Sequence, residues 1–155
     1  VIYTYVASPI GALLAVGDGH AVTGLYTPGH HRTPDAAWIR DDDAFSELRR
    51  QLGEYFDGAR TDFDLPLATT GTPFQQSVWH QLARLPYGRT ASYAELAVRI
   101  GAPRAVRAVG AANGRNPVSI VVPCHRVVGS DGSLTGYAGG LDAKRWLLDH
   151  ERAHC

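Results

Sequence analysis

Methionine is absent from these 155 residues, lysine occurs once, at Lys144, and cysteine twice, at Cys124 and at the last position, Cys155. A chain without Met that starts at Val1 is expected to be a trimmed or processed form. Two cysteines in such unlike settings do not make a disulfide framework, and they point to a reducing, cytoplasmic compartment. No CxxC or HExxH spacing occurs. His30-His31 sits among Gly and Pro without paired cysteines and reads as a solvated loop, so no metal and no cofactor are expected. No apolar run approaches the ~20 residues that span a bilayer, and the N-terminus lacks a basic-then-apolar signal. Internal repeats and low-complexity segments are missing too.

What is present is core-forming material. Hydrophobic residues make up 45% of the chain, and the length allows one ordinary domain or two small ones sharing an interface. The net charge is zero but unevenly spread. Residues 1–72 hold five arginines against ten acids, whereas residues 73–155 hold nine arginines and one lysine against five acids. Such a split fits a C-terminal half that faces a polyanion, and chance gives a split of this size as well.

Residues 1–26 alternate β-prone runs with turn signals, Ile2–Val6, Leu13–Val16 and Ala21–Tyr26 separated by Pro9-Ile10-Gly11 and Gly17-Asp18-Gly19, which predicts a β-meander. After a Pro/Gly loop, a helix is expected from Asp43, as N-cap, to Phe56, with Phe45, Leu48, Leu52 and Phe56 as its apolar stripe. Short strand character at 63–67 precedes a polar hinge at 68–71, where we place a domain boundary. Thr72-Pro73-Phe74-Gln75 then combines an N-cap, proline at the first helical position and a capping box, with Trp79 as core.

Ser92-Tyr93-Ala94-Glu95 is a second capping box, opening a short helix stopped by Gly101. A further helix is expected over Arg104–Gly114, with Val106 and Val109 facing the core. Two short helices across a Gly-containing turn have the form of a helix-turn-helix, and a bare helical hairpin has the same form. On the second helix Arg107, Gly110, Ala111 and Gly114 share a face almost without bulk. Small residues permit tight helix packing. They also permit close backbone approach to a narrow groove with Arg107 projecting into it, a pattern that suits the minor groove better than the major. The last helix is expected from an Asp142 cap, with Leu141 and Trp146 as a staple, to about His150 or Glu151.

Between these helices a strand of β-branched residues, Ile120-Val121-Val122, is expected to enter Pro123-Cys124-His125-Arg126-Val127-Val128. A cysteine nucleophile reacts as thiolate and needs a base. Adjacent side chains on an extended backbone point to opposite faces, so Cys124 and His125 cooperate only if the chain turns between Pro123 and Cys124. Glu151 is a candidate to orient the imidazole. Spacing alone leaves the electrophile open.

Pro123-Cys124-His125-Arg126-Val127 resembles the signature of the O6-alkylguanine-DNA alkyltransferases, the methylated-DNA–protein-cysteine methyltransferases. Further family landmarks occur in order: Phe74–Trp79, Pro86-Tyr87-Gly88, Ser92-Tyr93, Arg107–Gly110, Asn113–Pro117 and Gly136–Leu141. The resemblance is close over 73–152 and looser before it, at Ser8-Pro9-Ile10-Gly11. It implies an α/β (α+β) protein: a small ribonuclease-H-like N-terminal domain of β-sheet plus helix over 1–71, then a mainly helical, winged-helix or helix-turn-helix-like domain over 72–155. It implies repair of O6-alkylguanine, often also O4-alkylthymine, in double-stranded DNA, by a monomer working in the cytoplasm beside a prokaryotic nucleoid, with no membrane partner.

On that pattern Cys124 accepts the alkyl group once and irreversibly, His125 acts as base through a water, Glu151 holds His125, and Asn116 is a hinge. The DNA face would comprise Tyr93, Arg107, Ala108, Gly110, Ala111 and Arg115. Arg107 would fill the gap left by a base flipped from the minor-groove side, and Tyr93 would crowd the 3′ phosphate. The pocket would be lined by Tyr93, Asn113, Val127, Tyr137, Ala138 and Gly139, with the carbonyls of Cys124 and Val127 reading the guanine amino group. Ala138 stands where some members carry serine, and Asn113 where others are apolar. No zinc ligands match. Three rival readings are weighed: a lesion-binding relative, whose kind lacks the cysteine present here; a helix-turn-helix regulator, which leaves Cys124, His125, Glu151 and the glycine-rich loop unexplained; and a cysteine hydrolase, which needs an oxyanion site and turns over repeatedly.

Overall fold

A computed structural model describes all 155 residues. Strands β1 (Ile2–Val6), β2 (Leu13–Gly17) and β3 (Val22–Tyr26) form the expected antiparallel meander, and a two-residue strand β4 (Ile39–Arg40) adds parallel to β1. The order is β3-β2-β1-β4. The central strand β2 is buried at all five positions, which fits its unbroken apolar run Leu13-Leu14-Ala15-Val16. Helix α1 (Ser46–Phe56) packs its Leu48, Leu52 and Tyr55 into the core.

Helix α2 (Pro73–Leu82) opens with both hydrogen bonds of the Thr72–Gln75 capping box. Strand β5 (Ala91–Ser92) leads through the Ser92–Glu95 capping box into helix α3 (Tyr93–Arg99), and helix α4 (Val106–Gly114) completes the helix-turn-helix. Strand β6 (Val127–Val128) pairs parallel with β5, and helix α5 (Leu141–His154) closes the chain. One hydrophobic cluster runs from Leu13 and Leu25 in the sheet to Leu82, Val109, Cys124 and Leu147 in the helical part. The fold is α+β. No helix is long and apolar enough to cross a membrane.

Several local expectations need correction. No strand forms over 63–67. Leu67 makes a single bridge to Val22, flanked by the Val22 N–H to Pro66 carbonyl bond at 2.9 Å. Asp43 does not cap α1. A 3-10 turn over Asp43–Phe45 precedes the helix, and the Asp41 carboxylate accepts the Ala44 N–H at 3.2 Å. Helix α4 starts at Val106, not Arg104, and Val106 is exposed because only Val109 falls on the inward face. Helix α5 reaches His154. Its N-cap is Gly140 at φ +92°, a conformation glycine adopts freely, without an Asp142 side-chain cap, and Leu141 is exposed instead of forming a staple.

The largest correction concerns the strand expected at Ile120–Val122. These residues are a tight turn, and Ile120 has φ +74°, which a β-branched residue adopts only when its surroundings force it. Before the turn, the free edge of β3 captures the chain. Leu25 donates to the Pro117 carbonyl at 2.8 Å and accepts from Ser119 N–H at 3.0 Å, with a parallel bridge to Val118. The N-terminal sheet thus holds the segment that leads into Cys124.

Candidate active site and nucleic-acid interface

Asn116 organises the approach to Cys124. Its amide nitrogen donates to the carbonyls of Val122 at 2.8 Å and Val118 at 3.4 Å, and its oxygen accepts the Val118 N–H at 3.1 Å. Together with the Val122 N–H to Val118 carbonyl bond at 3.0 Å, this buried side chain folds residues 118–122 back on themselves. It also offsets the strain at Ile120, of the order of 1–3 kcal/mol. Cys124 follows as the first residue of a 3-10 turn, Cys124–Arg126, which ends where β6 begins. The turn removes the objection that neighbours on an extended strand face apart.

Cys124 and His125 are both buried, and so is Glu151. His125 Nε2 lies 2.6 Å from Glu151 Oε2. An ionised carboxylate only accepts, so Nε2 carries the proton and Nδ1, buried without a protein partner, presents its lone pair. Burial works against the Glu151 charge, but hydrogen bonds from His125 and Arg126 outweigh it and hold the carboxyl well below the usual range. Burial pulls the His125 proton affinity down, and Glu151 only partly restores it, so the resting ring is neutral. Burial pushes the Cys124 thiol up, while the Asn116 amide, the Lys144 charge and the Ser119 hydroxyl pull the other way. The resting sulfur is therefore a thiol that awaits a base, not a preformed thiolate.

Some of the machinery was not singled out from the sequence. Arg126 donates through Nε to Glu151 Oε1 at 2.8 Å, through Nη2 to Oε2 at 3.0 Å, and through Nη1 to the Leu85 carbonyl at 2.6 Å. This bidentate pair is the counter-charge that lets a carboxylate sit in the core. Lys144 is fully buried and donates to the Thr135 carbonyl at 2.9 Å, which pins the glycine-rich loop to α5. A signal existed for both α5 residues. Lys144, Leu147, Leu148 and Glu151 fall on one helical face, so the two charges ride the buried stripe.

The expected pocket residues converge on the turn. Val127 is fully buried, and the Cys124 carbonyl accepts both the Val127 N–H and, at 3.4 Å, the Asn113 amide. The Tyr137 and Ser119 hydroxyls are buried close to each other and to the Cys124 sulfur, without a well-formed protein hydrogen bond. Tyr93 donates to the Thr135 carbonyl at 3.1 Å, so the first residue of α3 is tied to the pocket loop. Ala138 is exposed, whereas Gly139 packs against Thr27, and a Cβ on Gly29 would strike the Gly139 backbone. A loop of the N-terminal sheet thus buttresses the pocket rim, a contact that no local pattern announces.

The outer face of α4 matches the sequence reading. Arg107, Ala108, Ala111, Gly114 and Arg115 are exposed, and Gly110 is half-buried beside the Tyr93 ring. The inner face is clamped by Trp79, whose indole N–H donates to the Ala112 carbonyl at 2.8 Å. Ala111 and Gly114 therefore face outward, while Gly110 lies against Tyr93 of α3. No group of three or more His, Cys, Asp or Glu is arranged to hold a metal ion.

Comparison with known proteins gives a consistent picture. Residues 1–69 match the family model of the 6-O-methylguanine DNA methyltransferase ribonuclease-like domain, and residues 73–153 match that of its DNA binding domain. The chain is 52% identical over 151 residues to the methylated-DNA–protein-cysteine methyltransferase of Methanosarcina barkeri, covering 96% of each chain. It is 50% identical over 153 residues to that of Mycolicibacterium paratuberculosis, covering 98% of this chain and 93% of the other. The crystal structure of Mycobacterium tuberculosis OGT in complex with DNA is similar with a TM-score of 0.95 and 49% identity, over 100% of this chain and 95% of that one.

Proposed function

Because this chain belongs to the 6-O-methylguanine DNA methyltransferase family, we propose a residue-level account of how it repairs alkylated DNA by moving the alkyl group to one of its own cysteines. Cys124 is the acceptor. The observation that carries the assignment is the buried turn that sets Cys124 beside His125, whose far nitrogen is anchored on Glu151 and whose near nitrogen is unpartnered.

The target atom of a stacked guanine is out of reach, so the base must leave the duplex. Arg107, projecting from the bare face of α4, fills the gap, and Tyr93 crowds the 3′ phosphate. Ala108, Gly110, Ala111 and Arg115 accept the backbone of the minor groove. The flipped base enters between Tyr137, Asn113 and Val127, with Ala138 and Gly139 at the rim. There the carbonyls of Cys124 and Val127 receive its amino group.

His125 Nδ1, through a water, takes the thiol proton as the sulfur attacks the alkyl carbon. The S–C bond forms while the O6–C bond breaks, and the bonding pair stays on guanine. The Tyr137 hydroxyl donates a hydrogen bond to the departing base, and the proton that left the thiol ends on the guanine by way of His125. The products are guanine and an S-alkylcysteine. A thioether offers no path back, so each molecule acts once. Glu151 stabilises the transient imidazolium, since it is ionised and bonded before the reaction begins.

The two free cysteines, one of them exposed, fit a reducing cytoplasm, and the division of labour fits a boundary at 71/72. A lesion-binding relative without chemistry is disfavoured by Cys124 itself, and a regulator leaves the Cys124–His125–Glu151 set without a use. Peptide mapping after exposure to an O6-methylguanine duplex tests the assignment. The methyl group is expected on the peptide that carries Cys124, and label on Cys155 or any other residue would refute it.

A further inference from the structure

Besides Arg126 and the Gly88 N–H on Oε1 at 3.3 Å, Glu151 receives a further donor that the transfer scheme leaves unused. The hydroxyl of Tyr55, on α1, donates to Glu151 Oε2 at 2.6 Å, the same oxygen that accepts His125 Nε2–H at 2.6 Å. Tyr55 has no exposed surface. Its ring meets Phe56 and Tyr87 edge-on at 5.2 and 6.1 Å, and its carbonyl accepts from His150 Nε2 at 2.7 Å. The phenol is therefore fixed at ring, backbone and hydroxyl.

A buried phenol needs some acceptor, and a main-chain carbonyl would satisfy that need. Here the acceptor is the one carboxylate oxygen that sets the tautomer and orientation of the proposed base. Donors on one oxygen compete, because each bond accepted stabilises the carboxylate and lowers what it offers the next donor.

We propose that Tyr55 is a positioning residue for alkyl transfer: its hydroxyl fixes how Glu151 Oε2 faces His125 and how much of that oxygen's charge is left for the imidazolium. This rests on the reading of His125 as the base. It also gives the N-terminal half a part in the chemistry, beyond its structural contacts with the turn.

The other groups around His125 and Tyr55 do not depend on that hydroxyl. Arg126 is bonded to both Glu151 oxygens, and Lys144 is anchored on the Thr135 carbonyl. Cys124 precedes His125 in the same turn, while His150 on α5 and Tyr87 after α2 flank the Tyr55 ring. With all of these in place, deleting one oxygen atom isolates the contribution of Tyr55.

The experiment compares the parent with Tyr55→Phe, which keeps the ring. Two quantities are read: the His125 imidazole titration, by NMR of protein labelled with 15N-histidine, and the pH profile of single-turnover alkylation by free O6-benzylguanine, which needs no DNA. Without the phenol, Glu151 gives more of its charge to His125. The His125 titration and the acid limb of the rate are expected to move together to higher pH, on the order of one unit. Replacing Tyr55 with 3-fluorotyrosine, a stronger donor that keeps the fold, should move both the opposite way. A merely structural Tyr55 would lower the melting temperature and move neither, and an unmoved His125 titration in both variants overturns the proposal. A titration that moves while the rate profile stays put removes His125 as the base, and overturns that reading while upholding the link from Tyr55 to His125.

Discussion

The amide of Asn116 donates to the Val122 carbonyl at 2.8 Å, across a turn whose Ile120 is held at φ +74°. Asn116→Ala leaves the buried Val118 N–H without a partner, at about 1–3 kcal/mol, and takes the second donor from the Val122 and Val118 carbonyls, which keep the Cys124 and Val122 N–H groups. Equilibrium denaturation is expected to show that loss, and transfer to an O6-methylguanine duplex should fall sharply as Cys124 is released from its place. Asn116→Asp should be worse, because a carboxylate cannot donate to Val122. Near-parental stability and transfer in both variants would remove Asn116 as the organiser of the turn.

Arg107 is exposed and belongs to the α4 face without bulk. Arg107→Ala is therefore expected to leave folding stability within about 0.5 kcal/mol. Repair of a duplex should weaken, while reaction with free O6-benzylguanine, which has no flipped nucleotide to replace, should change less. Equal losses on both substrates would contradict a role in holding DNA open.

Acid should destabilise the fold in two stages. His125 is buried with its proton affinity below the ordinary 6.5, so the unfolded chain binds a proton there that the folded chain refuses. Glu151, where bonds from His125 and Arg126 outweigh burial, stays ionised far below the ordinary 4.5. Both depressed groups make the unfolded state the better proton binder, so stability rises with pH. It is fully present at neutral pH, begins to fall below about pH 6.5 through His125, and falls further below about pH 4.5 through Glu151. Melting temperatures recorded across that range test this, and a flat profile would mean that neither group is held as described.

Much of this was legible in the residues, and the failures have physical causes. Capping boxes at Thr72 and Ser92 fixed two helix starts to the residue, because the signal and the hydrogen bonds are local. The meander and the bare α4 face followed from periodicity and turn residues in the same way. Ile120–Val122 reads as strand because β-branched residues favour one, yet the bonds from Asn116 and the edge of β3 come from elsewhere and impose a turn. Glu151 was found, but its partners Arg126 and Tyr55 were not. Ion pairing across 25 residues, and a phenol 96 residues away, leave no mark in local sequence. Tyr55 sat among the apolar positions of α1 and would pass there for core.

The central claim is that Cys124 keeps the alkyl group. The measurement is a count of methyl groups transferred per molecule, with excess O6-methylguanine duplex and time to completion, for the parent and for Cys124→Ser. One transfer per parent molecule and none for the serine variant, which should still bind DNA, is the predicted result. Continued release of repaired duplex beyond one equivalent, or transfer by the variant, would contradict it.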